Sequence, residues 1–251
     1  GLSPADYPLE LGKTQEDIHG RSWDDLQRYI GRLEYDANES VVLKLIVASE
    51  KLETLILNDQ NRNITTAGLP AGLQNFNRQE ITTIEGQIAS NLDGPMSYIV
   101  GTFYQQRQLE SFTTLLIGTP SGYANVPRPV SEATDKSLAP FGTVSYDITD
   151  ALKLSVGLRY TDDQKENTGA PGTYKDFKEW TQSFKLQYQL SDELMTYVAV
   201  DKGFTSGGFN RPDIVAVVGP QYRTYEPVTT YNYELGVKSE WLDKTLRVNA
   251  A

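Results

Sequence analysis

The most regular feature of this chain is a period of two. From Leu152, the residues Leu152, Leu154, Val156, Leu158 and Tyr160 alternate with Lys153, Ser155, Gly157 and Arg159. A second run sets Phe184, Leu186, Tyr188 and Leu190 against Lys185, Gln187 and Gln189. A third sets Tyr231, Tyr233, Leu235, Val237 and Trp241 against Asn232, Glu234, Gly236, Lys238 and Glu240. Successive strand residues point to opposite faces, so each run predicts a strand with one face in an apolar medium and the other in a polar one. Weaker alternation predicts further strands at Val41–Val47, Ile84–Ile88, Met96–Tyr104 and Val144–Ile148. The run Leu194–Val200 is apolar on both faces, and the pattern does not orient it.

Between these runs the connections sort by length. Tight turns are expected at Asp36–Ser40, Asn91–Pro95, Thr149–Ala151, Ser191–Glu193 and Leu242–Lys244. Long polar connections are expected over Leu57–Asn77, Ser111–Ser137, Asp162–Lys178 and Thr205–Thr229. Short periplasmic turns at one end and long extracellular loops at the other are the wiring of a transmembrane β-barrel. A soluble sandwich also alternates, but its loops have no reason to sort by length. The reading is all-β: an antiparallel transmembrane barrel segment of roughly ten strands, part of a larger barrel. Thr14–Leu33 has mixed polarity that is compatible with a short loop helix, and it is expected to be the tail of a preceding extracellular loop.

The two faces then acquire roles. Leu154, Val156, Leu158, Leu186, Leu235 and Val237 are expected to face lipid, and Lys153, Arg159, Lys185, Gln187, Glu234 and Lys238 to face the lumen. That many charges would be costly in a dry sandwich core but are accepted by a wet or plugged lumen. Aromatics such as Tyr98, Tyr104, Tyr146, Tyr160 and Tyr188 gather toward strand ends, where girdle residues meet headgroups. No apolar run reaches the length of a membrane helix, which leaves barrel strands open as the way across.

Composition narrows the chemistry. A net charge of −10, from 23 Lys plus Arg against 33 Asp plus Glu, argues against a nucleic-acid partner. Cysteine is absent, so neither disulfides nor thiolate metal sites exist. His19 is the single histidine and cannot build the usual zinc set unaided. The acid pairs Asp24-Asp25, Asp162-Asp163 and Asp192-Glu193 have the chemistry for Ca²⁺ binding or acid–base work, but they fall at expected turns or loops, where Asp serves local hydrogen bonding. Gly203, Gly207 and Gly208 lack the Lys-Ser/Thr of a phosphate loop; they suit a bend where a strand becomes a loop, or close approach of a ligand. No catalytic residue, metal or cofactor is expected, and the chain is not read as an enzyme.

At this point particular residues resemble a known family. Ala139-Pro140-Phe141-Gly142, Tyr146-Asp147-Ile148-Thr149-Asp150 and Val156-Gly157-Leu158-Arg159-Tyr160-Thr161 are similar to the barrel of TonB-dependent receptors. So are Lys202-Gly203-Phe204-Thr205-Ser206-Gly207-Gly208-Phe209-Asn210, Tyr225-Glu226-Pro227 and Tyr233-Glu234-Leu235-Gly236-Val237-Lys238-Ser239. Asp93-Gly94-Pro95 with Val100-Gly101-Thr102-Phe103-Tyr104 resembles an earlier hairpin of the same barrel. The likeness is strongest over residues 138–251. One departure is Val228, where the family usually carries an acid after the proline.

The resemblance implies that residues 1–251 are an internal segment of a receptor barrel in the outer membrane of a Gram-negative bacterium, without its plug domain and TonB box. It implies TonB-energised uptake of a ferric siderophore or similar scarce nutrient, with outer-membrane lipid, the plug and TonB as partners. Phe209, Asn210 and Arg211, in an expected extracellular loop, are the candidate ligand contacts. The rival readings are a passive porin-type channel and a secreted soluble β-sandwich acting on carbohydrate.

Overall fold

In the computed structural model, residues 18–59, 70–90, 92, 94–128, 130–167, 173–210 and 212–251 are described. The protein is nearly all β and antiparallel. Its strands are β1 (Arg21–Asn38), β2 (Val41–Asp59), β3 (Pro70–Ser90), β4 (Met96–Thr119), β5 (Gly122–Pro127), β6 (Ser131–Asp147) and β7 (Leu152–Asn167). They continue with β8 (Thr173–Ser191), β9 (Leu194–Thr205), β10 (Gly208–Phe209), β11 (Thr224–Tyr225), β12 (Val228–Trp241) and β13 (Leu246–Ala250). One short helix, α1 (Pro212–Val218), lies between β10 and β11. The main sheet runs β1-β2-β3-β4-β6-β7-β8-β9-β12-β13, with β5 paired to β4 and a separate β10–β11 ribbon. Strand order follows chain order, as consecutive hairpins dictate. The sheet is not closed: β1 and β13 are its two ends.

The chain divides into two compact units: Gly1–Arg28, Glu50–Glu80 and Gln108–Ala133; and Tyr29–Ser49, Ile81–Arg107 and Thr134–Ala251. In the first, Ile18, Ala71 and Leu116 are buried together with Leu57 packed on them. Phe76 and Phe112 pack at a tilt with centroids 5.9 Å apart, and Arg78 donates to Glu53 at 3.0 Å. The β4–β5 hairpin closes at Thr119↔Gly122, where Gly122 has φ +132, a conformation that suits a residue without a side chain.

Among the described residues of the second unit, buried apolar side chains form no cluster of their own. Register across β7, β8, β9 and β12 assembles rows of like residues. Leu154, Leu186, Val198 and Leu235 lie side by side, as do Val156, Phe184, Val200 and Tyr233. On the other face Lys153, Gln187, Tyr197 and Gly236 form a row, next to Ser155, Lys185, Ala199 and Glu234. Register therefore orients Leu194–Val200: Val198 and Val200 belong to the apolar face, Tyr197 and Ala199 to the polar one. The apolar face stays open, with Val156 46%, Leu158 49% and Leu235 69% exposed. A sandwich would bury these side chains against a second sheet; among the described residues none covers them.

Two expectations are corrected. Within Thr14–Leu33, the residues from Arg21 onward are strand, not loop or helix. Tyr29, Leu33 and Tyr35 alternate with Arg28, Arg32 and Glu34, but Ile30 and Gly31 blur the period. Ion pairs Arg28–Glu50 at 2.5 Å and Lys44–Glu34 at 3.2 Å tie β1 to β2. Two of the long polar connections, Ser111–Ser137 and the described part of Asp162–Lys178, are also largely strand, with β4 running on to Thr119, β7 to Asn167 and β8 beginning at Thr173. Thr205–Thr229 is mostly non-strand as expected, and residues 60–69 of Leu57–Asn77 lie outside the described residues. Where both faces meet the same medium, alternation vanishes while backbone pairing continues.

Candidate functional site

The polar face of the second unit is where side chains of several strands converge. Arg159 pairs across β7–β8 with Thr181, which puts both on the face of Lys185 and Gln187. A concavity of about 520 Å³ opens there, lined by Phe103, Ser137, Arg159, Thr161, Thr181 and Lys202, with Gly203–Ser206 forming one wall. That volume falls within the range of small-molecule sites, roughly 300–1,000 Å³. A second hollow of about 390 Å³ adjoins it, reaching Glu85, Ser183 and Asp201.

The electrostatics of the larger hollow are set by two cations. The Arg159 guanidinium lies 5.4 Å from the centroid of Phe103, and its Nε donates to Thr161 Oγ1 at 3.3 Å. Among the described residues it has no carboxylate partner, so stacking and a hydroxyl hold it while its remaining donors face the hollow. Lys202 is neutralised differently, with Nζ 2.6 Å from Glu179 Oε1. Its neighbour Asp201 accepts from Ser183 Oγ at 2.6 Å. Two consecutive β9 residues thus engage β8, and the regular β8–β9 register ends at Ser183↔Asp201. Hydroxyls, an unpaired guanidinium and an aromatic face suit recognition of a polar or anionic solute, and the grouping contains no nucleophile–base pair.

Closer to the opposite end of the strands, Tyr197 organises a second cluster. Its hydroxyl donates to Glu234, and the Nζ atoms of Lys185 and Lys238 lie 4.9 and 5.5 Å from its ring centroid. The ring lies across Gly236, where any Cβ would collide with it. Glycine there lets the aromatic pack flat on the neighbouring strand.

The positions singled out from the sequence divide as follows. Lys153, Arg159, Lys185, Gln187, Glu234 and Lys238 share the polar face; Leu154, Val156, Leu158, Leu186, Leu235 and Val237 share the apolar one. Phe209 pairs with Thr224 in the β10–β11 ribbon. Asn210 is committed to its own loop, its backbone N–H donating to Arg223 O at 2.9 Å and its side-chain amide to Tyr222 O at 2.7 Å. Arg211 lies outside the described residues. Val228 opens β12 opposite Thr205. Of the acid pairs, Asp24-Asp25 sits within β1, Asp162-Asp163 within β7, and Asp192-Glu193 in the β8–β9 turn. Phe103, Thr161, Glu179, Tyr197 and Lys202 were missed. For Lys202 the signal is its place at the head of the run to Gly208, whose glycines mark where the strand gives way to a loop.

Beyond Tyr160 the apolar face changes character. Tyr160 and Trp180 pack at a tilt of 48° with centroids 4.9 Å apart, and one rung further Lys178 approaches Asp162 at 3.4 Å. The hydrogen bond to Asp162 raises the Lys178 ammonium above its ordinary value. Two rungs on, the Tyr174 phenol is raised by its hydrogen bond to Asp176.

Comparison with known proteins agrees with this architecture. Residues 4–251 match the family described as TonB dependent receptor-like, beta-barrel. The pesticin receptor of Yersinia pestis is 26% identical over 124 residues, which is 45% of this chain and 18% of the relative. The crystal structure of the ferric yersiniabactin uptake receptor from Yersinia pestis superposes with a TM-score of 0.65 at 19% identity, covering 89% of this chain and 34% of that one. The siderophore receptor PiuA from Acinetobacter baumannii gives 0.71 at 14% identity, covering 92% of this chain and 40% of that one. The chain spans under a fifth of the curated relative it matches.

Proposed function

As a chain that belongs to the TonB-dependent receptor β-barrel family, this one, we propose, is part of the wall of an outer-membrane uptake receptor. The observation that carries the reading is the continuity of the apolar rows across β7, β8, β9 and β12, bounded at one end by Tyr160 and Trp180. From Leu152 to Tyr160 a strand rises about 26 Å at roughly 3.3 Å per residue. Tilted by about 40° it spans about 20 Å, close to the ~25 Å apolar band of outer-membrane barrels. We place Leu154, Val156, Leu158, Leu186, Leu235 and Val237 against lipid for this reason. Lys153, Arg159, Lys185, Gln187, Glu234 and Lys238 then line the lumen, where the hollow at Arg159 lies level with the aromatic boundary.

In this reading the protein acts by binding and energised import. The whole receptor carries a ferric siderophore or a comparably scarce nutrient, takes energy from TonB, and resides in a Gram-negative outer membrane. The neighbours in fold named above are siderophore and iron-complex receptors, which supports that substrate class. Deleting the gene should abolish energy-dependent uptake of radiolabelled iron presented on the matching siderophore, and removing TonB should abolish it equally. Uptake that survives loss of TonB would mean a passive channel instead.

A further inference from the structure

We infer that the sheet carries a slit between β8 and β9, through which the large hollow takes an amphiphile with an anionic head and a single alkyl chain. The inference rests on the lumen and lipid faces proposed above. The backbone pattern defines the slit. β8 stays paired with β7 from Tyr188 to Thr173, and β9 stays paired with β12 from Leu194 to Thr205. Between β8 and β9 themselves, pairing ends at Ser183↔Asp201. Above that rung the facing edges carry no ladder, and the gap is bounded higher up where Gly207, just beyond β9, lies against the Phe177 ring.

One ion pair shows that the gap passes through the sheet. Lys202 is two residues on from Val200 and stands opposite Tyr231, so its backbone places it in the apolar row. Glu179 stands opposite Thr161, two residues from Thr181, in the polar row. In a paired sheet the backbone ladder separates the two faces. Yet Lys202 Nζ lies 2.6 Å from Glu179 Oε1, with the lysine side chain only 15% exposed. It crosses where the ladder is missing, and Lys202 and Phe204 of the apolar row both line the hollow. On the polar side the hollow offers the Arg159 guanidinium, held over the Phe103 ring, beside the hydroxyls of Thr161 and Thr181. On the apolar side Trp180 and Tyr231 are 53% and 54% exposed. A solute that fills both sides is therefore anionic at one end and apolar at the other. One lysine side chain bridges the gap, so the gap is narrow and admits one alkyl chain. Lys202–Glu179 is the bar that such a chain must part.

The test uses the full-length protein in an uncharged detergent. The probes are ω-bromododecanoate, whose bromine quenches tryptophan, and the matching ω-bromo alcohol, the same chain without the charge. The readout is the quenching that disappears in Trp180→Phe, which isolates the residue beside the gap. The acid should quench saturably, at about a tenth of the alcohol's half-saturating concentration, the factor that a hydrogen bond to a charged group supplies. Arg159→Gln should raise the acid's value about tenfold and leave the alcohol's unchanged, and Arg159→Lys should restore part of the loss. Removing both halves of the bar, Lys202→Ala with Glu179→Ala, should lower the acid's value roughly two- to five-fold, the range of a partly exposed ion pair. Equal values for acid and alcohol, or an acid response indifferent to Arg159, would mean adsorption on the apolar face and overturn the inference. A double variant that binds the acid no better would overturn it too. Energised uptake is not read in this experiment, so a negative result leaves the uptake proposal standing, and loss of that proposal would leave this binding result intact.

Discussion

The β7–β8 hairpin pairs without a break from Leu152↔Tyr188 to Asn167↔Thr173, yet its two halves follow different rules. Up to the Tyr160–Trp180 pair, one face carries Leu152, Leu154, Val156 and Leu158 opposite Tyr188, Leu186, Phe184 and Gln182. Above that pair the same face carries Asp162, Gln164 and Glu166 opposite Lys178, Asp176 and Tyr174. The buried side chains above it, Thr161 and Phe177, belong to the other face, where Gly207 lies against the Phe177 ring. Backbone pairing is indifferent to the change. On the function proposed above, what changes is the medium: a contrast of solvents across the sheet imposes alternation, which ends where the contrast ends.

The largest expected effect breaks this comparison directly. Val156→Arg and Gln164→Arg put the same cation on the same face of the same strand, eight residues apart. Near the middle of the apolar band the arginine costs roughly 2–4 kcal/mol, and above the band close to nothing. Full-length receptor carrying Val156→Arg should therefore fall sharply in outer-membrane yield, while Gln164→Arg assembles like the parent. Equal yields would remove the lipid contact from the argument. An intermediate effect tests the boundary itself. Trp180→Ala removes a ring that packs on Tyr160 and sits at the change of medium. The loss of an aromatic pair, about 0.5–1.5 kcal/mol beyond its area, should lower the midpoint of unfolding in detergent by a few degrees. Trp180→Tyr should recover most of it, since it keeps both ring and polar edge.

The same contrast explains what could be read from the sequence. The lower strands were legible because the two media sort their residues: Leu154 and Lys153 cannot exchange places. The upper strands were not, because Asp162, Gln164 and Glu166 look like a loop when pairing partners are unknown. β1 was hidden by Ile30, an apolar residue on the face of Arg28 and Arg32. The hollow was half legible. Arg159 could be placed from alternation alone, but Lys202 meets Glu179 only beyond Ser183↔Asp201, where the β8–β9 pairing ends. Tyr197 could not be assigned to a face at all within Leu194–Val200.

The smallest effect belongs to the upper half and sharpens the comparison from the polar side. Tyr174 donates to Asp176, which raises its phenol above the ordinary tyrosine value, with Asp162 and Glu166 contributing in the same direction. A raised value means that the folded state holds the phenolic proton more tightly than the unfolded chain does. The associated stabilisation is complete below the ordinary tyrosine value of about 10 and is lost as pH rises through the folded-state value. Asp176→Asn should therefore move Tyr174 ionisation to lower pH in an ultraviolet difference titration against Tyr174→Phe. At neutral pH the same variant should leave assembly unchanged and lower the melting midpoint only slightly, since Tyr174 is exposed and the backbone beneath it remains paired. If Asp176→Asn instead reduced outer-membrane yield as Val156→Arg is expected to, the upper half would share the lower half's medium, and the boundary at Tyr160 and Trp180 would have to move outward.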